Sequence, residues 1–185
     1  MRYPLDKMVL RTALHEVLDE ATDKMNFIAS PVGGSFGLVR SSGSKAHQGW
    51  DLYSPVNAPI YAIADSIVVS VCNAFAPEEC RPNSYGNSVC VLLAAPALQT
   101  LSQKLQCDLF AFYGHLADVA VSVGDQPWEG LVLGHVGRSG NACHSPSHLH
   151  FEIRTIASPP RKSGLKYRID PGEVFGYDIY SSRTE

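Results

Sequence analysis

Two different periodicities govern the hydrophobic and polar residues of this chain. Between Asp6 and Met25, apolar residues recur at spacings of three and four, with charged residues between them. This spacing predicts one amphipathic helix, which we expect to pack on the domain that follows or, as an alternative, to serve as a docking or delivery segment. After it, short apolar runs alternate with glycine, proline, asparagine and serine, which is typical of an antiparallel β protein.

The turn residues divide the later part of the chain into strands and loops. A stretch with two prolines and two glutamates, 73–87, is predicted to be a long loop, and 96–106 a short helix or an irregular insertion. The sequence therefore predicts an N-terminal helix at 1–28, a β domain at 29–157, and a C-terminal loop and tail at 158–185. The predicted strands are 37–40, 49–53, 59–62, 66–72, 88–93, 109–115, 131–136 and 148–154.

Composition and charge narrow the class of protein. With 185 residues and 45% hydrophobic content, the chain can form one domain with a buried core. A net charge of −3 and a pI near 6.1 argue against nucleic acid or an anionic membrane as a partner. No apolar run approaches the ~18–20 residues that span a bilayer. The N-terminus lacks the apolar core of a secretory signal, so we expect action inside the cell, export by a signal-independent route, or a longer precursor.

The cysteines do not decide whether the protein acts in an oxidising or a reducing compartment. The five cysteines form no CxxC pair, which argues against a structural zinc knuckle. Cys72 and Cys80 bracket a loop that contains proline and glutamate and can form a disulfide in an oxidising compartment, whereas free buried thiols fit a reducing cytosol equally well. The odd number leaves at least one thiol unpaired within the chain.

The first candidate for chemistry is a pair of histidines. His148 and His150 lie one residue apart in a segment whose apolar and polar residues alternate. This alternation predicts a β-strand with one apolar face and one polar face. Residues two apart on a strand point to the same side, so both imidazoles project from one face with their backbones about 6.5–7 Å apart. One ring can then bind a metal while its neighbour handles a proton beside it.

Two further segments supply partners for this pair. His47 and Asp51 place an imidazole and a carboxylate four residues apart, and Gly49 between them lets the backbone turn closely. These groups suit Zn²⁺, although a hydrogen bond on a helix face would explain the same spacing. His115 ends a strongly apolar segment and precedes a predicted turn, so we expect it to face a cleft. The alternative for His115 is a histidine satisfied by a backbone carbonyl.

Together these residues predict a metal site with an open position. The His47 and Asp51 pair and one ring of the His-x-His strand give two nitrogens and one oxygen. Three protein ligands leave a fourth tetrahedral position for water, as in catalytic zinc sites, and zinc lowers the pKa of that water to about 7. The other ring and His115 can act as general base and as stabiliser of the developing oxyanion. No HExxH motif occurs, which excludes a glutamate-base metalloprotease of that kind.

Ordered motifs cover residues 31–153 of the chain. They are His47-x-Gly49-x-Asp51, Tyr113-Gly114-His115, Gly137-x-Ser139-Gly140 and His148-Leu149-His150-Phe151-Glu152, with framework matches at Ser35-Phe36-Gly37, Arg40, Pro55, Ala58-Pro59-Ile60-Tyr61-Ala62 and Tyr85-Gly86-Asn87-Ser88-Val89. In order and wording they resemble the lysostaphin-type (LytM-like) zinc endopeptidases that cut peptidoglycan.

The resemblance implies a fold, a ligand set and an activity. It implies an antiparallel β-sheet domain with the metal on the floor of a narrow groove. It makes His47, Asp51 and His150 the Zn²⁺ ligands, and His115 and His148 the catalytic pair. The implied substrates are the stem peptides and cross-bridges of peptidoglycan, in the periplasmic or extracellular wall compartment.

Other functions stay open at this point. One alternative is a non-catalytic wall-binding or regulatory module on the same fold, and another is a zinc hydrolase of other peptides in the cytosol. Because no export signal is visible, a wall hydrolase of this kind would be a phage lysin, an exported antibacterial toxin, or the remainder of a processed precursor. An injected toxin would need an immunity protein as a partner in the producing cell.

The chain departs from the family wording near the His-x-His strand. Ser147 stands where the family commonly has proline, which is expected to loosen the turn without removing a functional atom. The segments 141–147 and 73–87 also differ, and we expect them to line the groove and affect substrate preference.

Three polar residues near these motifs have no assigned role. His135 falls at a variable strand position and is expected to be non-catalytic. For His144, a residue without function is favoured over a contact with substrate or an adventitious metal. A hydrogen bond between His150 and Glu152 is consistent with their position on the same face of the strand.

Overall fold

A computed structural model of the chain describes residues 1–12, 25–29, 33–94, 96–160 and 162–176. Within these residues the fold is mainly β, as the sequence predicted. The strands are β1 (Met8–Thr12), β2 (Met25–Ala29), β3 (Gly37–Arg40), β4 (Lys45–His47), β5 (Trp50–Tyr53), β6 (Pro59–Tyr61), β7 (Ser66–Cys72), β8 (Asn87–Leu93), β9 (Phe110–Val119), β10 (Val132–Val136), β11 (His148–Arg154) and β12 (Arg168–Ile169). The helices are α1 (Pro96–Leu105) and α2 (Pro171–Phe175).

One sheet of ten strands contains most of these elements. Its main path runs β2-β1-β5-β11-β9-β10-β6, with β12 beside β11 and the β7–β8 pair joined to β9. The pairings along it are antiparallel except for β1 with β2. The short strands β3 and β4 pair separately. Strands β5, β11 and β9 are therefore neighbours, although they lie far apart in sequence.

The core lies against one face of these three strands. Trp50 is opposite Phe151, and Leu52 is opposite Leu149, across the β5–β11 pair. Tyr113 on β9 faces Phe151 from the other side. All five side chains are fully buried in the main hydrophobic cluster. Because side chains alternate along a strand, the residues between them point to the opposite face.

The predicted N-terminal helix is wrong in the part of this segment that the structure describes. Met8–Thr12 and Met25–Ala29 are strands, and residues 13–24 lie outside the described residues. In β1, the buried residues Met8 and Leu10 alternate with less buried neighbours, and the strand pairs with β5. Pairing at the sheet edge thus outweighs the helical spacing of the apolar residues.

The C-terminal region contains more regular structure than the predicted loop and tail. β12 pairs with β11, and α2 is capped by the preceding Asp170, whose side chain accepts a hydrogen bond from the Gly172 backbone N–H. Residues 177–185 lie outside the described part of the chain. The stretch predicted as helix or insertion forms α1. Among the described helices, none has the length and apolar character needed to cross a membrane.

A disulfide joins Cys80 to Cys143, so the bond between Cys72 and Cys80, one of the two possibilities left open by the sequence, does not form. Cys72 ends β7, whose neighbour is β8, whereas Cys80 forms an isolated bridge with Gly140. That bridge brings the loop after β7 beside the loop before β11, where the Cα atoms of the two bonded cysteines are 5.2 Å apart. The free cysteines are Cys72, Cys90 and Cys107.

Candidate active site

The register of the central strands brings a carboxylate beside an imidazole. Asp51 on β5 is directly opposite His150 on β11, on the face away from the core pair Trp50 and Phe151. Gly114 on β9 faces His150 from the other side and has no side chain to fill the space. The polar face of β11 predicted from the sequence is therefore buried rather than solvated.

His47 reaches the same point because the chain between β4 and β5 passes tightly against β11. A Cβ atom on Gly49 would lie 2.1 Å from the Phe151 carbonyl oxygen and 2.9 Å from Cγ of Glu152. No L side chain fits there without moving one strand away from the other. Gly49 is thus required by this close approach to β11, whereas the sequence predicted only a close turn of the backbone at this glycine.

The three candidate ligand atoms form a compact triangle. Nε2 of His47 lies 3.1 Å from Oδ1 of Asp51, and Nδ1 of His150 lies 2.8 Å from the same oxygen. The two nitrogens are 3.3 Å apart. Ligand atoms around a tetrahedral zinc ion with ordinary bond lengths are separated by about 3.3 Å. The sides of the triangle are therefore close to, and at most equal to, the separation that such an ion requires.

Hydrogen bonds behind the two rings assign their tautomers. Nδ1 of His47 lies 2.9 Å from the Ser35 carbonyl oxygen, which only accepts, so Nδ1 donates and Nε2 keeps a lone pair. Nε2 of His150 lies 2.9 Å from a Glu152 carboxylate oxygen, so Nδ1 of His150 keeps a lone pair. With Asp51, three electron-pair donors face one point. A divalent cation satisfies this donor set, and both rings have the outer hydrogen bonds typical of metal-binding histidines.

Charges around the triangle favour the ionised carboxylate. The Arg40 guanidinium binds the other carboxylate oxygen of Asp51 and leaves Oδ1 for the triangle. Burial opposes ionisation, but the neighbouring histidines hold the pKa of Asp51 well below its usual range. Burial alone would lower the pKa of His150, but the carboxylates of Asp51 and Glu152 raise it. A proton and a cation therefore compete for Nδ1 of His150.

His115 lies beside the triangle, as the sequence predicted, but in the middle of β9 rather than at its end. Its Nδ1 donates to the Ser139 carbonyl oxygen at 2.9 Å, which leaves the Nε2 lone pair available. Burial, helped by His148 and His150, lowers the pKa of His115 to about 3, so the ring is neutral at physiological pH. The ring centroids of His115 and His148 are 5.1 Å apart.

His148, whose ring is next to that of His115, has the same arrangement. Its Nδ1 donates to the Pro146 carbonyl oxygen at 2.8 Å, and its Nε2 lies 3.8 Å from Oδ1 of Asp51. The structure thus brings together all five residues that the sequence singled out. Two further ring nitrogens, with free lone pairs, lie next to a triangle suited to a cation.

The sequence profile of Peptidase family M23 matches residues 45–163, which include all five of these side chains. The chain belongs to peptidase family M23. No curated protein sequence matches it at a significant level.

Solved structures show that this M23 domain has the fold of other peptidases. The catalytic domain of the antimicrobial peptidase lysostaphin from Staphylococcus simulans is 20% identical, with a TM-score of 0.54 over 79% of this chain and 91% of that one. The catalytic domain of the prophage-encoded M23 protein EnpA from Enterococcus faecalis is 22% identical, with a TM-score of 0.53 over 74% and 85%. A zinc containing peptidase from Vibrio cholerae is 19% identical, with a TM-score of 0.53 over 91% of this chain and 37% of that one.

The structure also shows the contacts of three residues of the M23 domain whose roles were open in the sequence. The imidazole of His135 on β10 pairs with Asp118 on β9, and neither residue contacts any of the five site residues through a described hydrogen bond. His144 is exposed, and its Nε2 lies 3.7 Å from Sγ of Cys80. Ser147 does not loosen the turn as expected, because its hydroxyl donates to the Ser54 carbonyl oxygen at 2.7 Å.

Sequence reasoning missed several groups that hold the M23 site together. The Tyr85 hydroxyl lies 2.6 Å from Oε1 of Gln48 and 2.8 Å from Oε1 of Glu152, and its ring stacks on His150. Tyr85 and Arg40 belong to the framework motifs, but those motifs indicate no role for them. The carbonyl groups that hold the histidine rings leave no trace in a sequence, because every residue has one.

Proposed function

We propose that this chain is a zinc-dependent endopeptidase that hydrolyses the peptide cross-links of bacterial peptidoglycan. The observation that carries the proposal is the triangle of His47 Nε2, Asp51 Oδ1 and His150 Nδ1, within 3.3 Å of one another. Membership of family M23 supports peptide-bond hydrolysis. The similar structures of an antimicrobial peptidase and a zinc containing peptidase support the wall substrate and the metal.

The donor set favours zinc among the common divalent ions. Two imidazole nitrogens and one carboxylate oxygen suit Zn²⁺, whereas Mg²⁺ and Ca²⁺ prefer oxygen ligands. When bound, zinc supplies Lewis acidity that polarises a scissile carbonyl and lowers the pKa of water.

The two remaining histidines of the site, His115 and His148, are assigned to proton transfer and to stabilising the oxyanion. His115 and His148 each have Nδ1 bound to a carbonyl group, so their Nε2 atoms face the site. His148 is assigned to accept a proton from the attacking water, and His115, whose low pKa keeps its ring neutral, to accept a hydrogen bond that orients this water. The protonated ring can then donate a hydrogen bond to the developing oxyanion and pass its proton to the leaving amine. Both rings are nearly buried, which strengthens these hydrogen bonds by excluding solvent.

A wall compartment, periplasmic or extracellular, is the place of action that the cysteines support. The Cys80–Cys143 disulfide fits an oxidising environment, because a reducing cytosol keeps cysteine thiols in the reduced form. We infer that the protein acts as a lysin or as an exported antibacterial toxin. As a toxin it would need an immunity protein in the producing cell.

Two single variants test the assignment of roles. His150→Ala should lose stoichiometric zinc, measured by elemental analysis after dialysis, because it removes one of three ligands. His115→Ala should retain zinc but hydrolyse purified peptidoglycan about 10²–10⁴-fold more slowly, because the hydrogen-bond acceptor that orients the attacking water is lost. Mass spectrometry of the released muropeptides would identify the bond that is cut.

His135→Ala is the matched control, since this histidine pairs with Asp118 outside the site. It should keep both zinc and activity. Wild-type zinc content without any released muropeptide would favour the non-catalytic wall-binding module. Full hydrolysis by His115→Ala would refute its catalytic role.

A further inference from the structure

Glu152 is a fully buried carboxylate whose two oxygens have different partners. Oε1 accepts hydrogen bonds from Nε2 of His150 at 2.9 Å and from the Tyr85 hydroxyl at 2.8 Å. Oε2 accepts from Nε of Arg154 at 2.7 Å and from Nε of Arg168 at 2.8 Å. The side chain has no exposed surface, so solvent cannot replace any of these partners.

This arrangement fixes which nitrogen His150 presents to the triangle. Because Oε1 holds a hydrogen on Nε2, the lone pair of His150 is confined to Nδ1. Two guanidinium groups on Oε2 keep the carboxylate ionised and hold its rotation about the terminal bond. If Oε2 were free, Glu152 could turn, and His150 could lose both its tautomer and its orientation.

One of the two guanidinium groups comes from outside the part of the chain that matches family M23. Arg168 lies in β12, whereas the match ends at residue 163. The Arg168 side chain is 3% exposed, so it is built into the protein rather than lying on its surface. Its Nη1 donates to the Ser163 hydroxyl and to the carbonyl oxygens of Gly164 and Lys166.

The same segment, 163–170, contacts the neighbours of the other two candidate ligands. Nε2 of Gln48, next to His47, donates to the Gly164 carbonyl oxygen at 3.2 Å. Nε1 of Trp50, next to Asp51, donates to the Asp170 carboxylate at 3.1 Å. The segment therefore touches a residue adjacent to, or directly behind, every member of the triangle.

We propose that Arg168 is a positioning residue for His150 that acts through Glu152, and that segment 163–170 is part of the metal centre. The inference rests on the proposed function only for the identity of the ion. Arg168 does not reach the triangle itself. Arg168 binds the Glu152 carboxylate, and this carboxylate fixes the orientation of the His150 ring.

Zinc affinity tests this directly, by competition with a chromophoric chelator on the full-length protein. Arg168→Met should weaken Zn²⁺ binding about 10–100-fold, the usual cost of losing an outer hydrogen-bond partner of a metal ligand. Lys162→Met, an exposed change near the same segment, is the control and should leave the affinity unchanged. Equal affinity for wild type and Arg168→Met would overturn the proposal.

A double-mutant cycle separates positioning from a general structural effect. If Arg168 acts through Glu152, Arg168→Met should add little to the loss of Zn²⁺ affinity already caused by Glu152→Gln. Losses that multiply in the double variant would show an independent effect and would contradict the proposed route. The visible absorption of Co²⁺ bound in place of zinc should also change in Arg168→Met, because the position of a ligand changes.

Arg168→Lys guards against a variant that does not fold. It keeps the charge next to Glu152 but loses the planar group that also reaches the carbonyl oxygens of the segment. It should bind Zn²⁺ with an affinity between those of wild type and Arg168→Met, and an affinity equal to that of Lys162→Met would contradict the proposal. Zinc affinity is measured without peptidoglycan. A protein whose zinc affinity depends on Arg168 but that cuts no wall peptide would therefore refute only the proposed substrate.

Discussion

His115 has a left-handed backbone conformation, with φ at 66°, within β9. The pairing of β9 with β8 shifts register here, from Ser88 opposite Gly114 to Asn87 opposite Leu116. This is a β-bulge, and bulges redirect side chains. In regular alternation His115 would point into the core with Tyr113, but Leu116 takes that place and His115 lies beside His148. The position of His115, the proposed catalytic side chain, thus depends on one irregular residue in the strand.

Cys90 gives a test at the scale of one titrating group. Burial raises the pKa of its thiol from 9.0 to about 11. A raised folded-state pKa means that the contribution of the thiol to stability is complete below pH 9 and is lost as the pH rises towards 11. The free energy of unfolding, measured by urea titration, should fall more steeply over this range in wild type than in Cys90→Ala.

The contrast with Cys90→Ala separates this thiol from tyrosines that titrate at similar pH. Parallel pH curves for the two proteins would contradict the shift. Cys90 should also resist alkylation in the folded protein at pH 8, because the thiolate is the nucleophile and little of it forms.

Individual site residues could be predicted from the sequence because their chemistry lies in the side chain. The side chains of His47, Asp51 and His150 carry atoms that can bind a metal, and the motifs around them indicated that these three residues form one site. What could not be predicted is what holds them. Arg168 is a distant arginine in a segment without a motif, and the Ser139 carbonyl is a backbone group, so only the folded chain shows their partners.

At the scale of elements, two loops share the task of holding His115. The Tyr85 carbonyl oxygen in the loop before β8 accepts from the His115 backbone N–H, and the Ser139 carbonyl oxygen in the loop after β10 accepts from its ring. Backbone hydrogen bonds link the two loops at Gly140, which pairs with Glu79 and Arg81. The Cys80–Cys143 disulfide adds a covalent link between the same loops.

Removing this disulfide should affect catalysis more than metal binding. The double variant Cys80→Ser with Cys143→Ser should lose about 2–4 kcal/mol of unfolding free energy, because the unfolded chain is no longer cross-linked. Hydrolysis should slow, since both groups that hold His115 lie in the loosened loops. Zinc affinity should be unchanged, because His47, Asp51 and His150 lie in β4, β5 and β11.

Cys72→Ser is the matched control, since Cys72 is a free thiol. It should keep wild-type stability and activity. A loss of zinc affinity in the double variant equal to its loss of activity would show that the loops hold the ligands as well. Hydrogen exchange at 137–147 should increase in the double variant but not in the control.

The strands that were predicted correctly are those in which the alternation of apolar residues in the sequence agrees with the pairing of the strand in the sheet. β3, β7 and β11 begin and end where alternation and turn residues placed them, because each carries its own apolar face. β1 was predicted as helix because its apolar residues also fit a helical spacing, and only the edge of β5 decides between the two. The strand β12 has two residues and no pattern of its own, so its existence depends entirely on β11.

At the scale of the whole molecule, the site is where distant parts of the chain meet. The candidate ligands come from the first third of the sequence and from residue 150, and Arg168 reaches the site from near its end. The core on one face of the sheet sets the register, and the register sets the triangle on the other face. An ion bound there would therefore connect strands that are far apart in sequence and are not joined by the disulfide.

Metal removal tests this connection on the intact protein. A ligand that binds only the folded state stabilises it by an amount that grows with its concentration, about 2.7 kcal/mol at a hundred times its dissociation constant. Thermal unfolding should therefore occur at a lower temperature after chelation than with zinc restored, and the midpoint should rise further with added zinc. In Asp51→Ala the midpoint should not respond to zinc, because the carboxylate that faces both imidazoles is gone. If zinc stabilised Asp51→Ala as much as wild type, the stabilising ion would lie elsewhere, and the triangle would lose its role in holding the fold together.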